Sequence, residues 1–485
     1  AAGCAARGAW LVAARASYLD PLLTRVSPDQ PVHFGFRDVQ TKLVRDLGAS
    51  SRVEFAGTAG HSRLELVPDA AAGVNDLRTA FNDAAIGVVT LRLAPSAPVA
   101  LMTRLSGAMQ QFRNTSRDGG LLDDGGARDL VWRTDGSGTV AATAWHASVE
   151  ARDLRADGRQ QRIASGRPQD RAAFVSDSGT AGVEADVTRR WGRTVAAVGA
   201  RADQWTLVHR TALSPWGTLS RTWRRALTVR AAAGLYRQVP TADQVVGLRG
   251  TANLRVPRAR QSELRVSQSL AGGWYWDVAV YDRQEADGLR LPGAEVLLRG
   301  TVVVPVSFTT RWQNALTTRA RGAEWLVGRT VARGLAGWVS YAYSHTTVRD
   351  AQTGERFDGD YDQRHTVNAV LRAALPPRWQ GTVVWRAGSG MPAAGYWVAR
   401  GPQWFVAPAR NGLRVPSAAR LDASVSRTWH RRGIQVDAVA EVANLLGRTN
   451  VRAVPPGINR TTGEVTGLFA ETLPRVPSVG LTVAF

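Results

Sequence analysis

The feature that most constrains this chain is a strand-like alternation that recurs from end to end. "RLDASVS" sets Leu421, Ala423 and Val425 against Asp422, Ser424 and Ser426. "GIQVDAVAEVANLL" sets Ile434, Val436, Ala438, Ala440 and Val442 against Gln435, Asp437 and Glu441, and "HTVNAVLRAAL" repeats the arrangement. Successive side chains of a strand point to opposite faces, so each segment carries one apolar and one polar face. The segments are about ten residues long, the length a tilted strand needs to cross a bilayer. Helical periodicity is scarce, and there is no run of about 18 apolar residues to form a membrane helix. If the chain spans a membrane it must do so as a closed β-barrel, whose ladders satisfy every backbone polar group.

The connections sharpen this reading. Short ones fall near 48–51, 94–98, 135–138, 190–193, 223–226, 271–273, 330–334, 376–378 and 430–432. Longer, Gly/Pro/Asp-rich stretches fall mostly between them, at 113–127, 153–178, 239–259, 288–312, 347–362, 389–417 and 447–474, with one brief connection near 207–213. Alternating tight and long connections are the asymmetry of outer-membrane barrels, which have short periplasmic turns and long external loops. The spacing predicts about 20 strands, all-β and antiparallel, within the range of single-chain barrels. Three short turns repeat one arrangement, in "VTRRWGR", "LSRTWRRAL" and "VSRTWHRRGI". They predict an interfacial girdle at Trp191, Trp223 and Trp429, with arginines reaching the water.

Among the 485 residues the formal net charge is +21, and lysine occurs once, at Lys42, so the charge is almost all arginine. The arginines are spread along the chain instead of forming a block, which argues against a nucleic-acid surface. Inward-facing Arg, Asp and Glu call for a polar lumen, because arginine at the lipid midplane costs about 2–4 kcal/mol. Cys4 is the only cysteine, so an internal disulfide and a cysteine-based zinc site are both ruled out.

At this point the residues resemble a known family. "YDQRHTVNAVL" (361–371), "WRAGSGMPA" (385–393), "RLDASVSRTW", "VDAVAEVANLLGRTNV" and "LPRVPSVGLTVAF" are together similar to the β-barrel of TonB-dependent outer-membrane receptors, as is "AARGAWLVAARASYLD" (5–20). The resemblance spans residues 1–485 as one barrel domain. It implies 22 strands, an N-terminal plug and a segment that contacts the TonB complex. The plug, that segment and two strands are not visible in the chain, which predicts an N-terminally truncated barrel. The resemblance also implies a terminal strand read by the barrel-assembly machinery, here Val479, Leu481, Val483 and Phe485, with these four facing outer-membrane lipid.

The implied function is TonB-energised uptake of a scarce ligand such as a ferric siderophore, cobalamin or an oligosaccharide. The arginine-rich interior favours an anionic one. A passive porin and a soluble arginine-rich nucleic-acid-binding protein are the alternatives. No chemistry-bearing motif implies a cofactor, a metal or an enzyme: the histidines are scattered, Lys42 lies outside any phosphate-binding loop, and Ser389 lacks the spacing of a nucleophile elbow. Asp362 and His365 read as rim organisers rather than an acid–base pair. The richest candidate ligand surface is "YWVARGPQWFVAPAR", offering Tyr396, Trp397, Arg400, Trp404, Phe405 and Arg410 in one loop. The competing reading is a loop that packs on its own side chains.

Overall fold

The computed structural model describes residues 2–5, 8–17, 32–66, 73–96, 98–164, 166–331, 334–375, 378–431 and 433–484. Their backbone forms one 22-stranded sheet. Each long strand pairs antiparallel with the next long strand in the chain, from Ala2–Ala5 and Gly8–Ala16 at one edge to Ile434–Ala443 and Val476–Ala484 at the other. The short strand Arg356–Asp358 is added beside Leu335–Asp350. No ladder among the described residues joins Val476–Ala484 to Ala2–Ala5 or Gly8–Ala16.

The register fixes two faces. Across successive ladders Val183, Ala202 and Leu213 stand on one face, as do Val266, Val278, Trp325 and Tyr341. This outward face is apolar and uncovered: Val198 is 64% exposed and Leu213 55%. The opposite face carries the charge, neutralised in place. Arg133 reaches Asp135 at 2.8 Å and Glu150 at 3.3 Å, and Arg201 reaches Asp203 at 2.8 Å and Glu150 at 3.1 Å. Pairing of this kind makes a polar lumen affordable, since Asp135, Glu150 and Asp203 each have a guanidinium within reach.

Strand length divides the wall in two. Thr143–Ala164 and Arg167–Trp191 have 22 and 25 residues, whereas Trp379–Gly388 and Ile434–Ala443 have 10 each. About ten residues cross a bilayer, so the longer strands project well beyond it. The expected external loops at 113–127 and 153–178 are therefore mostly strand, with Arg117–Gly120 turning the first. Their Gly, Asp and Arg content reflects two wet faces above the membrane, tied by pairs such as Arg152–Asp129 at 2.7 Å and Arg159–Asp170 at 2.8 Å. The tight turn expected at 135–138 lies further on, where Ala141 adopts a φ of 52° between Leu121–Val140 and Thr143–Ala164.

The other half of the sheet carries true loops at its long-connection end, and these fold on themselves. One cluster packs Trp205, Val208, Val245, Leu254 and Val256, with Val245 supplied by the short helix Ala242–Val246. A second packs Ala393, Trp397, Val406, Val465 and Leu468 beneath a small sheet of Trp397–Arg400, Gln403–Val406, Glu464–Thr466 and Gly457–Ile458. Together they cap the mouth on that side.

Candidate ligand-binding site

Beneath this cap lies a cavity of about 510 Å³, a size typical of small-molecule sites. Its wall side is Leu316 and Thr318 of Gln313–Arg329 with Thr346 and Val348 of Leu335–Asp350. Loop residues close it: Trp312, Phe357, Tyr361 and Tyr396 supply aromatic surface, and Arg290, Glu295, Asp360 and Arg410 supply charge.

Arg410 is the hub. Its guanidinium binds Glu295 through Nε and Nη2, both at 2.8 Å, pairs with Asp360, and lies 4.9 Å from the Phe357 ring. Its backbone N–H donates to Glu355 at 2.9 Å. Burial works against the charge on Arg410, but the bonds to Glu295 and Asp360 outweigh it and raise its pKa. Burial likewise opposes ionisation of Asp360, yet hydrogen bonds from Arg410 and Asn411 hold it below the usual carboxylate range. The Tyr396 hydroxyl donates to Glu355 at 3.0 Å and accepts from Arg290 at 3.3 Å. Burial first, and the Glu355 charge second, push that phenol up. Arg290 also pairs with the fully buried Asp350.

A second ion network fixes the loops that hold these residues. Asp362, fully buried, accepts from the Thr346 N–H, from Arg364 Nε and from Arg414 Nη2, each at 2.6 Å. Arg364 and Arg414 also grip Asp358 at 3.0 and 2.7 Å. Burial raises the cost of charging Asp362, and its three donors more than offset it, so its pKa lies low. His365 is turned elsewhere, toward the Tyr341 hydroxyl at 2.8 Å. The Ser389 hydroxyl accepts from the His365 backbone N–H at 3.0 Å. Asp362, His365 and Ser389 thus organise the rim.

Of the six loop residues singled out in the sequence, Tyr396 and Arg410 line the cavity. Trp397 is buried in the cap, its indole N–H donating to the Ala394 carbonyl at 2.9 Å, and Trp404 sets its ring edge-on to Phe469 at 5.2 Å. Arg400 and Phe405 pair with each other at 5.1 Å away from the cavity. The loop thus packs in part on its own side chains and in part lines the cavity. Glu295, Trp312, Phe357 and Asp360 were not singled out, and no local pattern marks them: Arg410 and Glu295 are 115 residues apart. Trp191, Trp223 and Trp429 stand at short turns on exposed, outward positions, as do Val479, Leu481 and Val483 on the last strand; Phe485 lies outside the described residues.

Residues 61–445 match the family model described as TonB dependent receptor-like, beta-barrel. The chain belongs to this family. It is an outer-membrane receptor of the Gram-negative type, in a family of transporters rather than enzymes. No curated protein sequence matches it. Among solved structures it is similar to a variant of the ferric enterobactin receptor PfeA of Pseudomonas aeruginosa, at 14% identity over 94% of this chain and 70% of that one, with a TM-score of 0.70. The ferripyoverdine receptor of the same organism gives 10% identity, 98% and 67% coverage and a TM-score of 0.69. The siderophore receptor PirA from Acinetobacter baumannii gives 12%, 98% and 75%, and 0.69. At these identities the likeness carries the fold alone.

Proposed function

We propose that this receptor takes up a scarce iron-chelate ligand of the siderophore class, energised through the TonB complex. The observation that carries the reading is the aromatic and charged cavity beneath the external cap, on the side where such a ligand arrives. Trp312, Phe357, Tyr361 and Tyr396 line it with aromatic surface for a flat or aromatic chelate, while the ion pairs of Arg410 with Glu295 and Asp360 and of Arg290 with Asp350 offer polar groups to its hydrogen-bonding atoms. The relatives of similar fold include receptors for ferric enterobactin and ferripyoverdine, which supports the same class. Tyr396 and Arg410 are the ligand-facing members of the six loop residues, with Trp397 and Trp404 holding the cap and Arg400 and Phe405 at its surface. Cobalamin and oligosaccharides are the competing cargoes of the same scheme.

On this reading the short turns face the periplasm, Trp191, Trp223 and Trp429 form part of the interfacial girdle, and Val479, Leu481, Val483 and Phe485 carry the assembly signal. Titrating the purified receptor with a panel of ferric siderophores, cobalamin and oligosaccharides tests the cargo. Saturable binding of a ferric siderophore that Arg410→Met weakens supports the proposal. Binding of only cobalamin or a sugar would replace it.

A further inference from the structure

An arginine set over an indole keeps a full positive charge at the depth where tryptophan prefers to sit. That unit recurs on the outward face, always at the short-turn end of the wall. Arg189 lies 5.5 Å from the Trp191 ring, Arg221 5.5 Å from Trp223, and Arg329 5.7 Å from Trp274. Arg427 stands between two indoles, 5.2 Å from Trp379 and 5.1 Å from Trp429. The ladders create the units. Trp379 lies directly across from Arg427 and Trp274 across from Arg329, while Trp191 and Arg221 flank Thr194 from either side.

Lumen arginines such as Arg133 and Arg201 are matched by carboxylates, but three of these are not. Among the described residues no carboxylate comes within ion-pair distance of Arg189, Arg221 or Arg427, and the enclosed Nε of Arg427 has no hydrogen-bond acceptor. Arg329 differs, because its guanidinium donates to the Gly272 carbonyl at 3.3 Å. Arg190, Arg193, Arg224 and Arg431 add further positive charge at the same turns. A cation held on an apolar, lipid-facing surface without a counter-ion is costly, so the arrangement calls for an anion at that depth. At the turn end of a barrel in a bilayer, that anion is the lipid phosphodiester.

We infer that these units are binding sites for glycerophospholipid headgroups of the periplasmic leaflet, with Arg427 between Trp379 and Trp429 the principal one. The guanidinium fork matches two phosphate oxygens, and the flanking indoles pack against the glycerol and upper acyl carbons. The inference rests on the membrane placement in the preceding section.

Native mass spectrometry of the full chain, released from micelles carrying phosphatidylglycerol, tests it. Arg427→Gln should retain the lipid roughly tenfold less well, the equivalent of one lost charge-assisted bond, and Arg427→Lys should restore part of it. Arg189→Gln with Arg221→Gln provides an independent pair should the first variant fail to fold. Heat-modifiable migration on a gel reports folding for each. Folded variants that retain lipid like the parent would overturn the proposal, as would displacement by millimolar inorganic phosphate, which would mark a free-anion site. A parent chain with no heat-modifiable form would refute the barrel placement itself.

Discussion

Replacing Asp362 by alanine removes the centre of the rim network, and the structure sets the size of the effect. The carboxylate is fully buried and accepts three bonds of 2.6 Å, two from guanidinium groups and one from the Thr346 N–H. Charge-assisted bonds contribute about 1.5–3 kcal/mol each. Arg364 and Arg414 are each about a third exposed and keep Asp358 as a second partner, so the lower end applies to both. The two guanidinium bonds then account for about 3 kcal/mol and the Thr346 bond for about 1.5 more, a local opening equilibrium raised roughly 2,000-fold. It falls on the loops around 351–364 and 389–417 and leaves the barrel wall intact. Amide hydrogen exchange is the assay, read at Thr346 and at Ser344, whose N–H bonds to the Arg364 carbonyl at 3.1 Å. Because the folded pKa of Asp362 is depressed, its contribution is present above the unfolded value of about 3.9. It is lost as pH falls through the folded value. Unchanged protection at Thr346 in Asp362→Ala at neutral pH would refute the reasoning.

Other outcomes follow from the same geometry. Arg410→Met leaves Glu295 and Asp360 facing the cavity unpaired. Removing one partner from such a pair costs about 3–5 kcal/mol when buried, and carboxylates exposed at 35% and 38% place it at the low end. The pH slope of loop protease resistance should also reverse. In the parent the depressed Asp360 makes the loop less stable as pH falls, whereas an unpaired, desolvated Asp360 gains stability on protonation. Gly390→Ala places a methyl on the Val415 carbonyl and should break the bridge between Pro392 and Arg414, seen as proteolysis of the cap at 389–417. Leu219→Arg, on the outward face, should lower stability in lipid by about 2–4 kcal/mol if it lies near the midplane. Ser220→Arg, on the lumen face, should not; urea titration of the reconstituted barrel compares them.

The wall was legible because its signal is local. Segments such as Arg420–Ser426 or Ile434–Val442 show their two faces over a few residues, each face meeting a different solvent. Where both faces meet water, as in Thr143–Ala164 and Arg167–Trp191, the alternation fades and strands read as loops. The site was half legible. Tyr396 and Arg410 stand in an aromatic, arginine-rich loop that draws notice, whereas Trp312, Glu295 and Asp360 reach the cavity only through folding of separate loops. The packing of Trp397 and Val406 with Val465 and Leu468 joins two loops that lie far apart in the chain, and no periodicity records such a contact.

Cysteine accessibility along the strand Arg210–Thr222 tests the wall most directly. With Cys4 replaced by serine, single cysteines at positions 213 through 220 are probed in the membrane with a water-soluble maleimide and with a bilayer-partitioning one. Cysteines at the Ser214, Thr218 and Ser220 positions should react from the aqueous lumen, and those at the Leu213, Pro215, Gly217 and Leu219 positions only with the lipid-borne reagent. Equal aqueous labelling of both sets would contradict a barrel wall with one face in lipid.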